Sequence, residues 1–218
     1  MFSRKLALGA FVAALGAAAA AHADPTDYVP KHKGLFMVTV RATGVLPNDH
    51  QHIMTAAGAD TGLETRITGS LIPSASLTYF VTDNIAVDLI AGTSHHAISA
   101  VGPNTDVLVR KTWVLPPTLS LQYHFLPKER FSPYVGVGAN YMLFYSGENL
   151  NGFTVHTPSG FGASLEAGLD YVVSKHATIN LDLKKIFYTT DATVNGGALK
   201  SNVNLDPWVP SVGVGWKF

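Results

Sequence analysis

The sequence predicts an all-β protein: an eight-stranded antiparallel transmembrane β-barrel of the bacterial outer membrane. Three observations point there. Charged residues make up only 14% of a 218-residue chain that is 47% hydrophobic, well under the roughly 25% charge usual in soluble domains. Beyond residue 23 there is no uninterrupted run of about 18 apolar residues, the minimum for a spanning helix. Eight segments instead alternate apolar and polar residues with period two, as a strand does when one face meets lipid and the other a lumen.

The first element is a secretory signal peptide, expected over residues 1–23, with the barrel over 24–218. Arg4 and Lys5 give a positive start, an Ala- and Leu-rich run follows, and Ala21-His22-Ala23 forms an A-x-A cleavage site.

The strands are predicted at 34–46, 68–81, 84–94, 112–125, 132–145, 160–173, 176–189 and 206–218. The third sets Ile85, Val87, Leu89 and Ala91 against Ala86, Asp88, Ile90 and Gly92. In the sixth, Ala163, Leu165, Ala167, Leu169 and Tyr171 oppose Ser164, Glu166, Gly168 and Asp170. The seventh is clearest, with Ala177, Ile179, Leu181 and Leu183 against Thr178, Asn180, Asp182 and Lys184. In the last, Trp208, Pro210, Val212, Val214, Trp216 and Phe218 share one face, and Val209, Ser211, Gly213, Gly215 and Lys217 the other. Links at 82–83, 126–131 and 174–175 are short. Those at 47–67, 95–111, 146–159 and 190–205 are long and read as loops. Short turns at one end and long loops at the other are an outer-membrane pattern, and eight strands put both termini on the periplasmic, short-turn side.

Charged side chains share the small, polar face on several strands, so that face is expected to line the interior. The greasy face then meets lipid. Tyr79, Tyr123, Phe125, Tyr171, Trp216 and Phe218 have outward parity near the short-turn end and would form an aromatic girdle.

Six stretches carry a family resemblance: VTVRATGVLPND (38–49), PSASLTYFVTDNIAVDLIAGT (73–93), LPPTLSLQYHFLP (115–127), SPYVGVGANYMLFY (132–145), LDYVVSKHATINLDLKKI (169–186) and DPWVPSVGVGWKF (206–218). Taken in order over nearly all of the mature chain, they resemble the outer membrane protein W (OmpW/AlkL) family. The resemblance implies an eight-stranded outer-membrane barrel associated with passage of small hydrophobic molecules, with stress-response and immune or phage-recognition roles also linked to members. Phe218 resembles the terminal signal read by the outer-membrane assembly machinery.

The parity assignment sorts the lumen into two zones. Towards the periplasm and the middle, inward positions are polar, among them Arg41, Asp88, Gln122, Glu166, Asp182 and Lys184. Buried charges cost several kcal/mol each unless paired. Arg41 and Lys184 are therefore expected to pair with Asp88, Glu166 and Asp182 in a plug. Towards the outside, Val45, Ile72, Ile90, Val114, Pro116, Met142, Phe144, Ile186, Tyr188 and Val209 point inward and make an apolar cup. An apolar molecule entering the cup meets charge below, so sideways release into the lipid is easier. Proline lacks the N–H a ladder needs. Pro73 in the second strand and Pro116-Pro117 in the fourth either open a lateral gap between strands or end pairing above the membrane.

The function expected is passive uptake of small hydrophobic molecules, with outer-membrane lipid and the assembly machinery as further partners. The alternative is a recognition barrel whose loops bind phage or host factors without transport. A lipocalin-like barrel with the greasy face inside is a third reading, disfavoured by the signal peptide, the girdle and Phe218. Zero net charge gives no reason to expect a nucleic-acid partner. The absence of cysteine excludes thiol catalysis, disulfides and thiolate metal sites. Ser and His are scattered and no G-x-S-x-G occurs, so no enzyme is expected. His50, His52, His95 and His96 fall in loops without a convincing ligand set, and no metal or cofactor is expected.

Overall fold

Alternation of β-branched and aromatic residues with small polar ones favours strands throughout, and strands are what the chain forms. The computed structural model describes residues 28–48 and 50–218. The predicted signal peptide lies outside the described residues. The strands are β1 (Phe36–Val45), β2 (His52–Thr55), β3 (Asp60–Ile67), β4 (Ser70–Phe80), β5 (Ile85–Gly92), β6 (Ser94–Gly102), β7 (Thr105–Leu115), β8 (Thr118–His124), β9 (Phe131–Asn149), β10 (Val155–His156), β11 (Gly160–Val172), β12 (Ala177–Phe187), β13 (Thr189–Val194), β14 (Leu199–Asn204) and β15 (Trp208–Lys217).

Eight of them close a ring in the order β1-β4-β5-β8-β9-β11-β12-β15, and β15 returns to β1. Every neighbouring pair is antiparallel. Closure leaves no sheet edge, as a hydrocarbon environment demands of β-structure. The predicted parity holds along the wall: in β4 and β12 the exposed or half-buried residues alternate with buried ones. The buried set is the polar one, including Thr39, Arg41, Ser76, Asp88, Gln122, Asp182 and Lys184.

The outward aromatics form two levels rather than one. Near the short turns Phe36 packs against Tyr79, tilted, at 4.6 Å and Tyr123 meets Phe125 at 5.2 Å. Tyr171 pairs with Phe131, and Trp216 lies two strands on, across β12. At the far end Trp113 pairs with Tyr145, Tyr141 packs on Phe161, and Phe187 and Trp208 continue the row. Lys185 lies 5.0 Å over the Trp208 ring, and its ammonium donates to Asp206 O.

The long links are not the unstructured loops expected. The strands β2, β3, β6, β7, β13 and β14, with the top of β9 and the two-residue β10, pair into a second tier above the barrel. The reason lies in the residues. Runs such as Thr189–Val194 and Ser94–Gly102 keep β-branched residues and alternation, and the wall strands below supply a template that extends their ladders upward.

Candidate functional site: an apolar cup over a charged stopper

The lower lumen is filled by side chains, as an eight-stranded barrel requires. Lys31, in the segment before β1, turns into the mouth at the short-turn end. Its ammonium donates to Asp170 Oδ2 (2.7 Å), Ser132 Oγ (2.8 Å) and His124 Nδ1 (2.8 Å), using all three donors. His124, thus an acceptor at Nδ1, gives its Nε2 proton to Gln122 Oε1 at 3.2 Å, and Gln122 Nε2 donates to Glu166 at 3.0 Å. Glu166 is ion-paired with Lys184. A second branch runs from Asp170 to Asn180 Nδ2 (2.9 Å), from Asn180 to the Tyr134 hydroxyl (3.0 Å), and from that hydroxyl to Asp182 Oδ2 (2.9 Å). Tyr134 can lie across the lumen because Gly168 faces it. A Cβ there would sit 2.3 Å from the tyrosine ring.

The predicted plug residues thus share one region, with two corrections. Arg41 donates to the neutral Asn180 Oδ1 (2.7 Å) and Ser76 Oγ (2.5 Å) rather than to a carboxylate, because Gly213, paired with both Arg41 and Asn180, puts no side chain between them. Asp88 accepts from Thr78 at 2.6 Å. His124 and Asp170 are among the inward polar positions expected from parity, without an assigned partner, whereas Lys31 and Tyr134 are not among the expected members. Tyr134 shares the inward parity of Asn140 and Met142, but Lys31 lies outside any periodic segment.

Above the stopper the wall encloses a cavity of about 200 Å³ with an almost wholly apolar lining. Of the predicted cup residues, Val45, Ile72, Ile90, Val114, Pro116, Met142, Phe144, Ile186 and Val209 line it. Tyr188 does not. Its ring packs with Val114, Met142 and Ile186 while its hydroxyl donates to Pro158 O at 2.8 Å, which turns it into wall structure. The upper tier adds Ile53, Leu63, Ile67, Ile98, Val109 and Val203, all from segments expected as loops. Thr118 and Lys184 mark the floor.

The wall is interrupted beside this cavity. The ladder of β5 with β8 ends at Ile90↔Thr118, and that of β6 with β7 begins at Ser94↔Val114. Residues 91–93 and 115–117 do not pair with each other across this seam, where Pro116 and Pro117 supply no N–H. On the other flank β4 and β5 pair up to Ser74↔Gly92, and β3 and β6 resume at Ile67↔Ile98. Pro73, paired with Ala42 on its other side, stands in that second interruption. Thr93 is therefore flanked by broken ladders on both sides. The outward-facing Ala91 and its neighbour Gly92 belong to the cavity lining. The β9 side is continuous, since Tyr141 N–H donates to Pro117 O at 3.1 Å. Across the outer surface the Tyr145 hydroxyl reaches Thr93 Oγ1.

The four loop histidines do not converge. His50 meets Glu64 (3.0 Å) and His52 meets Asp60 (3.2 Å), His95 packs on Trp113 (5.0 Å), and His96 is buried with Nδ1 2.6 Å from Thr68 O. Among the described residues no three His, Cys, Asp or Glu gather as a metal site.

The OmpW family profile matches residues 32–218. An uncharacterized outer-membrane protein of Sinorhizobium fredii, y4mB, is 40% identical over 221 residues, covering 97% of this chain and 94% of that one. Outer membrane protein AlkL of Ectopseudomonas oleovorans is 30% identical over 181 residues, covering 80% and 72%. The crystal structure of the outer membrane protein OprG from Pseudomonas aeruginosa superposes with a TM-score of 0.81 at 27% identity, covering 88% of this chain and 99% of that one.

Proposed function

The chain belongs to the OmpW family of bacterial outer-membrane β-barrels, and from that premise we propose that it admits small hydrophobic molecules from outside into the apolar cup and releases them sideways into the bilayer. The observation that carries this reading is the meeting of three features at one place. An apolar cavity ends on a charged floor, and its wall loses backbone pairing beside Pro73 and Pro116-Pro117. Passage downward would strip an apolar solute past Glu166, Lys184 and the Lys31 network, while a sideways step keeps it in apolar surroundings. The interruption lies just above the lipid-facing Leu89 and Leu119 and below Trp113 and Tyr145, at the depth of the outer acyl chains.

Replacing Pro116 and Pro117 with Val restores two N–H donors; that of residue 116 faces Ala91–Thr93, while residue 117 faces β9, where its carbonyl already accepts from Tyr141. Uptake of a radiolabelled alkane by cells lacking their own copy should fall several-fold at equal surface expression, while a small polar solute is unaffected. Unchanged alkane uptake would sink the lateral route. Phe144→Asp places a charge in the cup and should abolish apolar uptake altogether.

Phe218, 70% exposed beside the lower aromatic girdle, is available to the outer-membrane assembly machinery, and we assign it that role. A recognition function remains the second reading, favoured by the upper tier of paired strands, which offers a rigid surface well beyond the lipid. Uptake equal to that of empty cells would decide for it.

A further inference from the structure

At the floor of the cup, four buried polar atoms have no hydrogen-bond partner among the described residues: Ser120 Oγ, Ser164 Oγ, and both Oδ1 and Nδ2 of Asn140. All three side chains are at most 2% exposed. Natural interiors rarely leave such groups unpaired, because each costs about 1–3 kcal/mol. They are clustered. Ser120 and Ser164 flank Gly138 on either side, and both hydroxyls lie 2.7 Å from where a Cβ on Gly138 would stand. Asn140 is the next inward residue of β9, and its Oδ1 lies over Gly162, 2.4 Å from the position of a Cβ there. The glycines leave the room that these polar side chains occupy.

The cluster adjoins the cup directly. Asn140 pairs with Thr118 and Ser164 with Ile186, both lining the cavity, and Met142 stands two residues above Asn140. We infer that Asn140, Ser120 and Ser164 form a subsite for the uncharged polar head of an apolar molecule, an alcohol above all, whose chain fills the cup. Two hydroxyls and a carboxamide offer donors and acceptors together, which suits a hydroxyl group that both gives and takes a hydrogen bond. An anionic head is disfavoured. The charges just below are Arg41 and Lys184 against Asp88, Glu166 and Asp182, two cations facing three carboxylates, and Lys184 is already held by Glu166. This inference rests on the cup being a binding cavity and names the solute it selects.

The test is nuclear magnetic resonance of the labelled full barrel in lipid nanodiscs, titrated separately with octan-1-ol, octane and octanoate. The Met142 and Ile186 methyls report entry into the cup, and the Asn140 side-chain amide reports the subsite. Octan-1-ol should move all three signals, octane the methyls alone, and octanoate should bind more weakly than the alcohol. Asn140→Leu, or the milder Ser164→Ala, should weaken octan-1-ol binding on the order of threefold to tenfold, as loss of one hydrogen bond does, and leave octane unchanged. Methyl shifts from octan-1-ol without an amide shift would overturn the subsite and leave the cup standing. Equal loss of both ligands in the variants would reduce the cluster to a packing role and overturn it too. Methyls unmoved by any of the three would remove the cup itself.

Discussion

Lys31 shows how much one side chain outside the strands can carry. It is buried, bound to three partners, and joined to Asp170 across 139 positions of sequence. Removing one member of such a pair leaves an uncompensated charge, a loss of about 3–5 kcal/mol. Lys31→Met should therefore shift urea unfolding of the refolded barrel to markedly lower denaturant, and Lys31→Met with Asp170→Asn should recover most of the loss. His96 gives a pH-dependent counterpart at the rim. Burial holds its imidazole below the ordinary 6.5, against a raising contribution from the Thr68 carbonyl, and the neighbouring His95 lowers it further. A depressed histidine leaves stability unaffected above 6.5, where both states are neutral. As the pH falls through 6.5 the opened state takes the proton more readily, so the rim loosens. Hydrogen-exchange protection at Ala97, whose N–H donates to Thr68 Oγ1 at 2.9 Å, should fall between pH 7 and pH 5, and His96→Gln should flatten that dependence.

Among the elements, β15 and β1 decide whether the ring closes. Gly213 stands opposite Arg41, and a Cβ there would lie 2.3 Å from Val40 O and 2.6 Å from Arg41 Cγ. The first of these is backbone and cannot yield. Gly213→Ala should block closure, read as loss of the fast-migrating form of the unheated protein on a denaturing gel. The ladders around Thr93 are interrupted instead, and the Tyr145 hydroxyl bridges to Thr93 Oγ1 over the outer face. On the proposed lateral route Tyr145→Phe should raise the rate of alkane transfer to lipid, measured in the same uptake assay. The prolines in these strands were legible as breaks, because a missing N–H is a covalent fact. Which neighbour lost its pairing was not legible, since that depends on registers such as Ser74↔Gly92, set by the whole ring.

For the molecule as a whole the inverted packing is the governing feature: Val40, Leu77, Leu89, Val137 and Leu181 face outward while charge lies within. In water this arrangement would expose far too much apolar surface. In lipid it is the stable one, because the interior then holds every group that needs a partner. The three tryptophans test it together. Trp113 and Trp208 lie in the far aromatic level and Trp216 in the near one, each 40–49% exposed. Lipids brominated near the headgroup should quench all three, and a barrel with its greasy face inward would leave them protected.

The sequence by itself determined the class of barrel, the strand centres and which face meets lipid, because side chains of a strand must alternate and only one face here tolerates hydrocarbon. It also determined most of the cup, since Val45, Ile90, Met142 and Ile186 follow from parity alone. Only the tertiary structure decided the rest. Lys31 reaches Asp170, the predicted loops rise as a second tier, Arg41 turns to Asn180, Tyr188 leaves the lining, and Asn140 comes to rest beside Ser164 without a partner. Each is a relation between residues on different strands, and the shear of a closed ring, which no local pattern encodes, sets which residues share a level.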